Sequence, residues 1–124
     1  QTRNFSYVDD CLKPLWNTAT QDNCSKQIIN LGGTKAFSIN EAADTLKQVI
    51  GTAEKVYLEA RHEVNEAKPA YSKSENLLGY KDSTSLKDGL TEMWNWAKDQ
   101  PKRDVFSWDN YELNKGIYEF WKNK

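Results

Sequence analysis

The sequence predicts an α/β chain with about four helices and a few short strands. Three kinds of pattern predict this class. Apolar side chains recur every three or four residues in several stretches, which is typical of amphipathic helices. Serines followed three residues later by an acidic residue mark helix starts. Short runs alternate between the two faces of an extended chain, as half-buried strands do.

The expected strands are short and lie far apart along the chain. Alternation over residues 3–8 places three large side chains on one face, namely Arg3, Phe5 and Tyr7. Residues 27–31 are a second, apolar run that ends at Gly32 and Gly33, a turn where we expect backbone conformations that other residues avoid. Residues 55–59 alternate as a further strand.

The first two expected helices occupy the first half of the chain. Asp9 and Asp10 stand where the N-cap of the first helix belongs, with Pro14 in its first turn. Ser38 and Glu41 form a capping box, in which each side chain binds an amide left free at the helix start. The second helix follows this box and ends at Gly51.

Two further helices are expected in the second half. Ser72 with Glu75 predicts a short helix that ends at Gly79. Ser85 with Asp88 opens the most regular one, whose apolar stripe consists of Leu86, Leu90, Met93, Trp94 and Ala97. Residues 101–124 differ in composition, since aromatic and basic side chains crowd them, and we expect this tail to pack on the rest of the fold or on a partner.

Composition excludes several classes of protein. The 124 residues suit one domain. A mean hydropathy of −0.85 indicates no membrane protein. A net charge of −1 gives no electrostatic reason to expect a nucleic-acid partner. Cys11 and Cys24 match neither a redox nor a zinc-ligand spacing, so they predict reduced thiols in the cytoplasm and no metal site. Because the sequence begins with Gln, we expect the chain to be cut from a longer one.

No motif predicts a catalytic residue in this chain. Residues 7–10 have the form of a two-aspartate polymerase motif, but a helix start explains them better in so short a chain. Tyr111 and Lys115 have the spacing of a dehydrogenase pair, yet they follow the body of the fold. His62 is the single histidine and suits a surface position. The sequence has no glycine-rich dinucleotide loop, so no cofactor site is expected.

The order of several segments resembles the C-terminal third of the extended short-chain dehydrogenases. These are the NAD-dependent nucleotide-sugar epimerases and dehydratases, with UDP-glucose 4-epimerase the most similar type. The resemblance covers about residues 1 to 98. The segments that carry it are Arg3-x-Phe5-x-Tyr7-Val8-x-Asp10, Asn30-Leu31-Gly32-Gly33, Ser38-Ile39-Asn40-Glu41-Ala42, Arg61-His62-Glu63-Val64, Ser72-Lys73-x-x-x-Leu77-Leu78-Gly79-Tyr80 and Ser85-Leu86-x-x-Gly89-Leu90.

The resemblance implies that residues 1–100 form the nucleotide-sugar-binding portion of such an enzyme. Arg3 and Arg61 would contact the diphosphate of a UDP-sugar, Phe5 would lie beside the nucleotide, and Glu63 would contact the ribose. NAD and the catalytic residues would be carried by a Rossmann half that this chain lacks. The chain would then be inert alone, and strands deprived of neighbours would favour a homo-oligomer.

Two other functions stay open at this point. In the first, the chain is a stand-alone module that binds nucleotide sugars or pairs with a separate Rossmann chain. Alternatively, it would be a structural or assembly protein that has lost the sugar site and uses its aromatic tail as an interface.

Overall fold

The computed structural model describes residues 1–60 and 63–104. The expected α/β class is confirmed, because these residues form four helices and a three-stranded sheet. In chain order the elements are β1 (Thr2–Asn4), α1 (Val8–Thr20), a 3-10 turn (Asp22–Cys24), β2 (Ala36–Ser38), α2 (Ile39–Ile50), β3 (Glu66–Ala67), α3 (Ser72–Leu78) and α4 (Leu86–Ala97).

The sheet is mixed, with β1 in its centre. β2 lies antiparallel to β1, and Arg3 faces Phe37 across this pair. β3 lies parallel to β1 on the other side, and the Thr2 amide donates to the Asn65 carbonyl at 2.8 Å just before β3 begins. The sheet therefore brings three segments that are remote in sequence beside Arg3.

The capping signals of α2 and α4 are confirmed. Ser38 and Glu41 form both bonds of the expected capping box, and Gly51 ends α2 with a φ of 86°. Ser85 accepts a hydrogen bond from the Asp88 amide at the start of α4. The two helices pack against each other.

The expected starts of α1 and α3 are wrong. Tyr7 is the N-cap of α1, so Asp9 and Asp10 lie in its first turn instead, and Pro14 is buried inside the helix rather than in that turn. The Asp10 carboxylate instead accepts hydrogen bonds from Ser83 and Thr84. Tyr71 rather than Ser72 is the N-cap of α3, with no side-chain cap, although this helix does end at Gly79.

Two expected strands do not form, and two others, β2 and β3, do. Residues 27–31 and 55–59 have no regular secondary structure, whereas β2 forms at Ala36–Ser38. A strand needs a neighbour for its backbone amides and carbonyls, and alternation of side chains does not provide one. Among the described residues, neither run is part of the sheet.

Gly32 and Gly33 are buried, and they do not adopt the unusual backbone conformations that were expected of them. Neither has a positive φ; the positive-φ glycines of the described residues are Gly51 and Gly79. A Cβ atom on Gly33 would lie 2.1 Å from the Phe5 carbonyl oxygen. Close approach of two backbones, and not an unusual dihedral angle, therefore requires glycine at this position.

The described core is small. Its buried apolar side chains are Cys24, Leu78 and Tyr80, and both cysteines are free. Many large apolar side chains stay exposed, among them Trp16 at 70% and Ile28 at 88%. No helix in residues 1–60 and 63–104 is long and apolar enough to cross a membrane. His62, Tyr111, Lys115 and the tail beyond Asp104 lie outside the described residues.

Candidate functional site

An open groove lies between the start of α1, the end of the loop that leads into β2, and α4. Its volume is about 870 Å³. Aromatic and apolar side chains make most of its wall, among them Phe5, Tyr7, Phe37, Leu90, Met93 and Trp96. Polar groups enter from Thr34 and from the loop at residues 82–85. A flat apolar ligand with a polar end fits such a groove.

Cationic side chains lie beside the aromatic wall. Arg3 and Phe37 are directly opposite in the antiparallel pair, so their side chains share one face of the sheet. The Lys35 ammonium lies over the Phe37 ring, 4.8 Å from its centre. This face therefore combines rings that could stack on a base with cations that could bind phosphate oxygens.

The Arg3 guanidinium is held from two sides. Its Nη1 donates to the Thr2 carbonyl at 2.7 Å. Its Nη2 lies 3.5 Å from Oε2 of Glu63, in an ion pair whose side chains are 26% and 47% exposed. The structure thus brings together two of the residues that the resemblance marks as ligand contacts.

Two carboxylates fix the loops that border the groove. Oδ2 of Asp82 accepts from both the amide and the hydroxyl of Thr34, at 2.6 and 2.8 Å. Asp10 accepts from the Ser83 hydroxyl at 2.7 Å and from the Thr84 amide at 2.9 Å. Burial opposes the charge on Asp10, but these hydrogen bonds outweigh it and hold the pKa of Asp10 below its usual value.

Tyr80 lies under this corner with its hydroxyl fully enclosed. The side chain is 2% exposed and the Ser6 hydroxyl is near, but within residues 1–60 and 63–104 the Tyr80 oxygen makes no hydrogen bond. Burial, and then the charge of Asp82, raise the pKa of Tyr80 to about 12. The Tyr80 phenol is therefore uncharged at neutral pH and does not exchange its proton there.

The structure places the expected site residues unevenly. Arg3 lies in β1, Phe5 lines the groove, and Glu63 contacts Arg3. Arg61 lies outside the described residues. The sequence reasoning missed Lys35 and the aromatic face that it covers. Their signal was the alternation over residues 35–38, directly before the confirmed capping box.

The arrangement suits binding more than catalysis. In residues 1–60 and 63–104 no cluster of three His, Cys, Asp or Glu side chains offers a metal site. The polar groups at the groove are mostly hydroxyls, fixed carboxylates and cations, which hold and orient a ligand. The described face therefore offers rings and cations that could contact an aromatic and anionic molecule.

Comparison with known proteins identifies relatives along most of the chain. No protein-family model matches the sequence. UDP-glucuronate 4-epimerase of Thermodesulfobacterium geofontis is 33% identical over 120 residues, which cover 94% of this chain and 33% of that protein. UDP-glucuronic acid decarboxylase 1 of Xenopus tropicalis is 32% identical over 92 residues, covering 73% of this chain and 21% of that protein.

A solved structure shares the fold. A variant of UDP-glucuronic acid 4-epimerase from Bacillus cereus, in complex with a fluorinated UDP-glucuronic acid and NAD, has a TM-score of 0.71 and 32% identity. The match covers 79% of this chain and 32% of that one. The chain thus spans about a fifth to a third of the length of these relatives. In sequence and in fold, this chain is homologous to one part of the longer chains of the UDP-sugar epimerases and decarboxylases.

Proposed function

We propose that this chain is the C-terminal nucleotide-sugar-binding segment of an NAD-dependent epimerase or dehydratase that acts on UDP-sugars in the cytoplasm. The observation that carries this proposal is the sheet face on which Arg3 and Lys35 adjoin the aromatic wall of the groove. Uracil would stack against this wall, with Phe5 beside it. The diphosphate would lie at Arg3, with Arg61 as its second cationic contact.

The relatives support the chemical class of the ligand. Their names specify UDP-glucuronate and its decarboxylation or epimerisation. An arginine fork matches two phosphate oxygens at once, which is why arginine suits a diphosphate better than lysine does. The proposed segment would therefore supply binding and orientation of the sugar nucleotide.

The hydride chemistry would come from another polypeptide segment. When NAD is bound in an enzyme of this kind, it accepts a hydride from the sugar and returns it. This chain has no glycine-rich dinucleotide loop. We therefore propose that it is inert alone and that a Rossmann segment, covalently attached or separate, completes the site.

The exposed apolar surfaces support a missing neighbour. One side of α1 carries large apolar side chains that are each more than half exposed, namely Val8, Leu12, Leu15 and Trp16. Ile28, in the run that was expected to be a strand, is exposed as well. Contiguous exposed apolar area of this kind marks an interface. A Rossmann segment would cover it in the complete enzyme, and a second copy would cover it in the isolated chain.

A thermal-unfolding series tests the proposal. The chain is melted with UDP, UDP-glucuronate, UDP-glucose, GDP-mannose and NAD in parallel. A ligand at about 100 times its Kd stabilises by about 2.7 kcal/mol, a shift of several degrees for a domain of this size. We expect shifts with the UDP compounds and none with NAD. A shift with NAD alone would contradict the proposal, and so would the absence of a shift with every UDP compound.

The same apolar α1 surface favours a second candidate, an assembly protein without a sugar site. Under that function, substitution of Arg3 would change no binding property, while loss of the apolar surface or of the tail after Gln100 would change the oligomeric state. The thermal series separates the two candidates, because an assembly protein gains no stability from UDP compounds.

A further inference from the structure

We propose that Glu63 is an internal counter-ion, which pairs with Arg3 until the diphosphate of the ligand displaces it. On this proposal Glu63 does not contact the ribose. The inference rests on the proposed function, because it assigns a role at the same site. It differs from what the resemblance implies for Glu63. The ion pair between the two side chains is the observation from which it starts.

The backbone places Glu63 beside Arg3. The Thr2 amide binds the Asn65 carbonyl, and the parallel pairing that follows sets Thr2 opposite Glu66 and Arg3 opposite Ala67. The chain preceding β3 therefore runs alongside the start of β1. Strand pairing thus delivers an acidic side chain to the cation at the centre of the sheet.

The contact is loose enough to be exchanged. Nη2 and Oε2 are 3.5 Å apart, beyond the usual length of a charge-assisted hydrogen bond, and Glu63 is 47% exposed. The second bond of the guanidinium, from Nη1 to the Thr2 carbonyl, does not involve Glu63 and can persist. A phosphate group could therefore replace the carboxylate without removing Arg3 from its position.

A carboxylate and a phosphate compete for the same guanidinium face. While Glu63 is ionised beside Arg3, it neutralises part of the attraction for a diphosphate and repels the incoming charge. Removal of its charge should therefore tighten diphosphate binding by about two- to five-fold, the range that corresponds to an exposed ion pair. A ribose contact predicts weaker binding of uridine by Glu63→Gln instead, since a carboxylate that accepts hydroxyl hydrogen bonds is lost, and no gain for pyrophosphate.

The test uses the whole 124-residue chain. Inorganic pyrophosphate and uridine are titrated separately, at low ionic strength, into the wild type, Glu63→Gln and Glu66→Gln, and binding is followed by NMR. Glu66→Gln is the matched control, because it removes the same charge from an exposed position three residues away. A further variant, Arg3→Gln combined with Glu63→Gln, shows whether any gain acts through Arg3.

We expect Glu63→Gln to bind pyrophosphate two- to five-fold more tightly than the wild type. Glu66→Gln should differ less, uridine binding should not change, and the gain should disappear without Arg3. Equal pyrophosphate affinity in the two Gln variants, weaker uridine binding by Glu63→Gln, or no pyrophosphate binding by any variant would overturn the inference. Failure of the wild type to bind UDP-glucuronate, with the pyrophosphate gain intact, would instead contradict the proposed function alone.

Discussion

At the scale of single residues, the hydroxyl of Tyr80 is enclosed and has no hydrogen-bond partner among the described residues. A buried polar group of this kind costs stability, and its removal in the same shape is neutral or favourable. We expect Tyr80→Phe to leave the melting temperature at pH 7 unchanged or to raise it by a few degrees, which corresponds to at most about 1 kcal/mol. A fall of several degrees at pH 7 would mean that the hydroxyl has a partner.

The same variant has a signature in alkali. Because burial raises the pKa of Tyr80 to about 12, the folded chain keeps its proton where the unfolded chain, with a pKa of about 10, loses it. The contribution of Tyr80 to the free energy of unfolding is thus fully present below about pH 10 and is lost as the pH rises towards 12. Melting curves at pH 9 and pH 11 should show a smaller loss for Tyr80→Phe than for the wild type. Equal losses would contradict the raised pKa.

Asp10 should act in the opposite direction of pH. The hydrogen bonds from Ser83 and Thr84 hold its pKa low in the folded chain, so its stabilisation is present above its unfolded pKa of about 3.9 and is lost as the pH falls through the lower folded value. We expect Asp10→Asn to cost about 1 kcal/mol at pH 7. The difference from the wild type should shrink below about pH 4, measured by urea unfolding, with Asp9→Asn as the control. A difference that stays constant with pH would refute this assignment.

Gly33 tests the close contact of two backbones next to the groove. A Cβ there would meet the Phe5 carbonyl oxygen at 2.1 Å, and backbone atoms cannot move aside as a flexible side chain can. We expect Gly33→Ala to lower the free energy of unfolding by about 3 kcal/mol, the upper part of the range for overpacking. Gly79→Ala has no described atom within 4 Å of the new Cβ and should cost only its left-handed backbone strain, about 1 to 2 kcal/mol. Equal costs would contradict the predicted clash.

At the scale of elements, the helices were more predictable than the strands, because of the three described strands β1 alone overlaps an expected one. The Ser38 and Ser85 caps are local signals that lie within four residues of the groups they satisfy, so the sequence reveals them directly. Strands depend on remote partners. In the sheet, β1 lies between two segments that both follow it by more than thirty residues in the sequence. Residues 27–31 and 55–59 have the side-chain pattern of strands, yet the described residues offer them no partner in the sheet.

The α1 surface makes a prediction at the same scale. If its exposed apolar side is an interface, the double variant Leu12→Glu with Leu15→Glu should reduce self-association while the melting temperature changes by no more than a few degrees, because both side chains are more than half exposed. Sedimentation velocity measures the association. Lys13→Glu changes the net charge equally and lies between them. The interface assignment is wrong if Lys13→Glu dissociates the chain as strongly as the double variant.

At the scale of the whole molecule, the sequence predicted part of the candidate site. Alternation placed Arg3 and Phe5 on one face of a strand, and in the structure one lies at the sheet centre and the other lines the groove. Alternation over residues 35–38 indicates that Lys35 and Phe37 share a face, but only the pairing of β1 with β2 brings Phe37 opposite Arg3. The ion pair of Arg3 with Glu63 depends on the pairing with β3 and was equally out of reach of local patterns.

The central claim is that the sheet face beside the groove binds the nucleotide and diphosphate of a UDP-sugar. A titration of isotopically labelled chain with UDP-glucuronate, followed residue by residue by NMR, tests it most directly. We expect shifts at Arg3, Phe5, Lys35 and Phe37 that saturate, and a loss of affinity of about ten-fold or more in Arg3→Gln, because a charge-assisted bidentate contact is removed. Saturable shifts confined to the α1 surface, or the same affinity in Arg3→Gln, would contradict it.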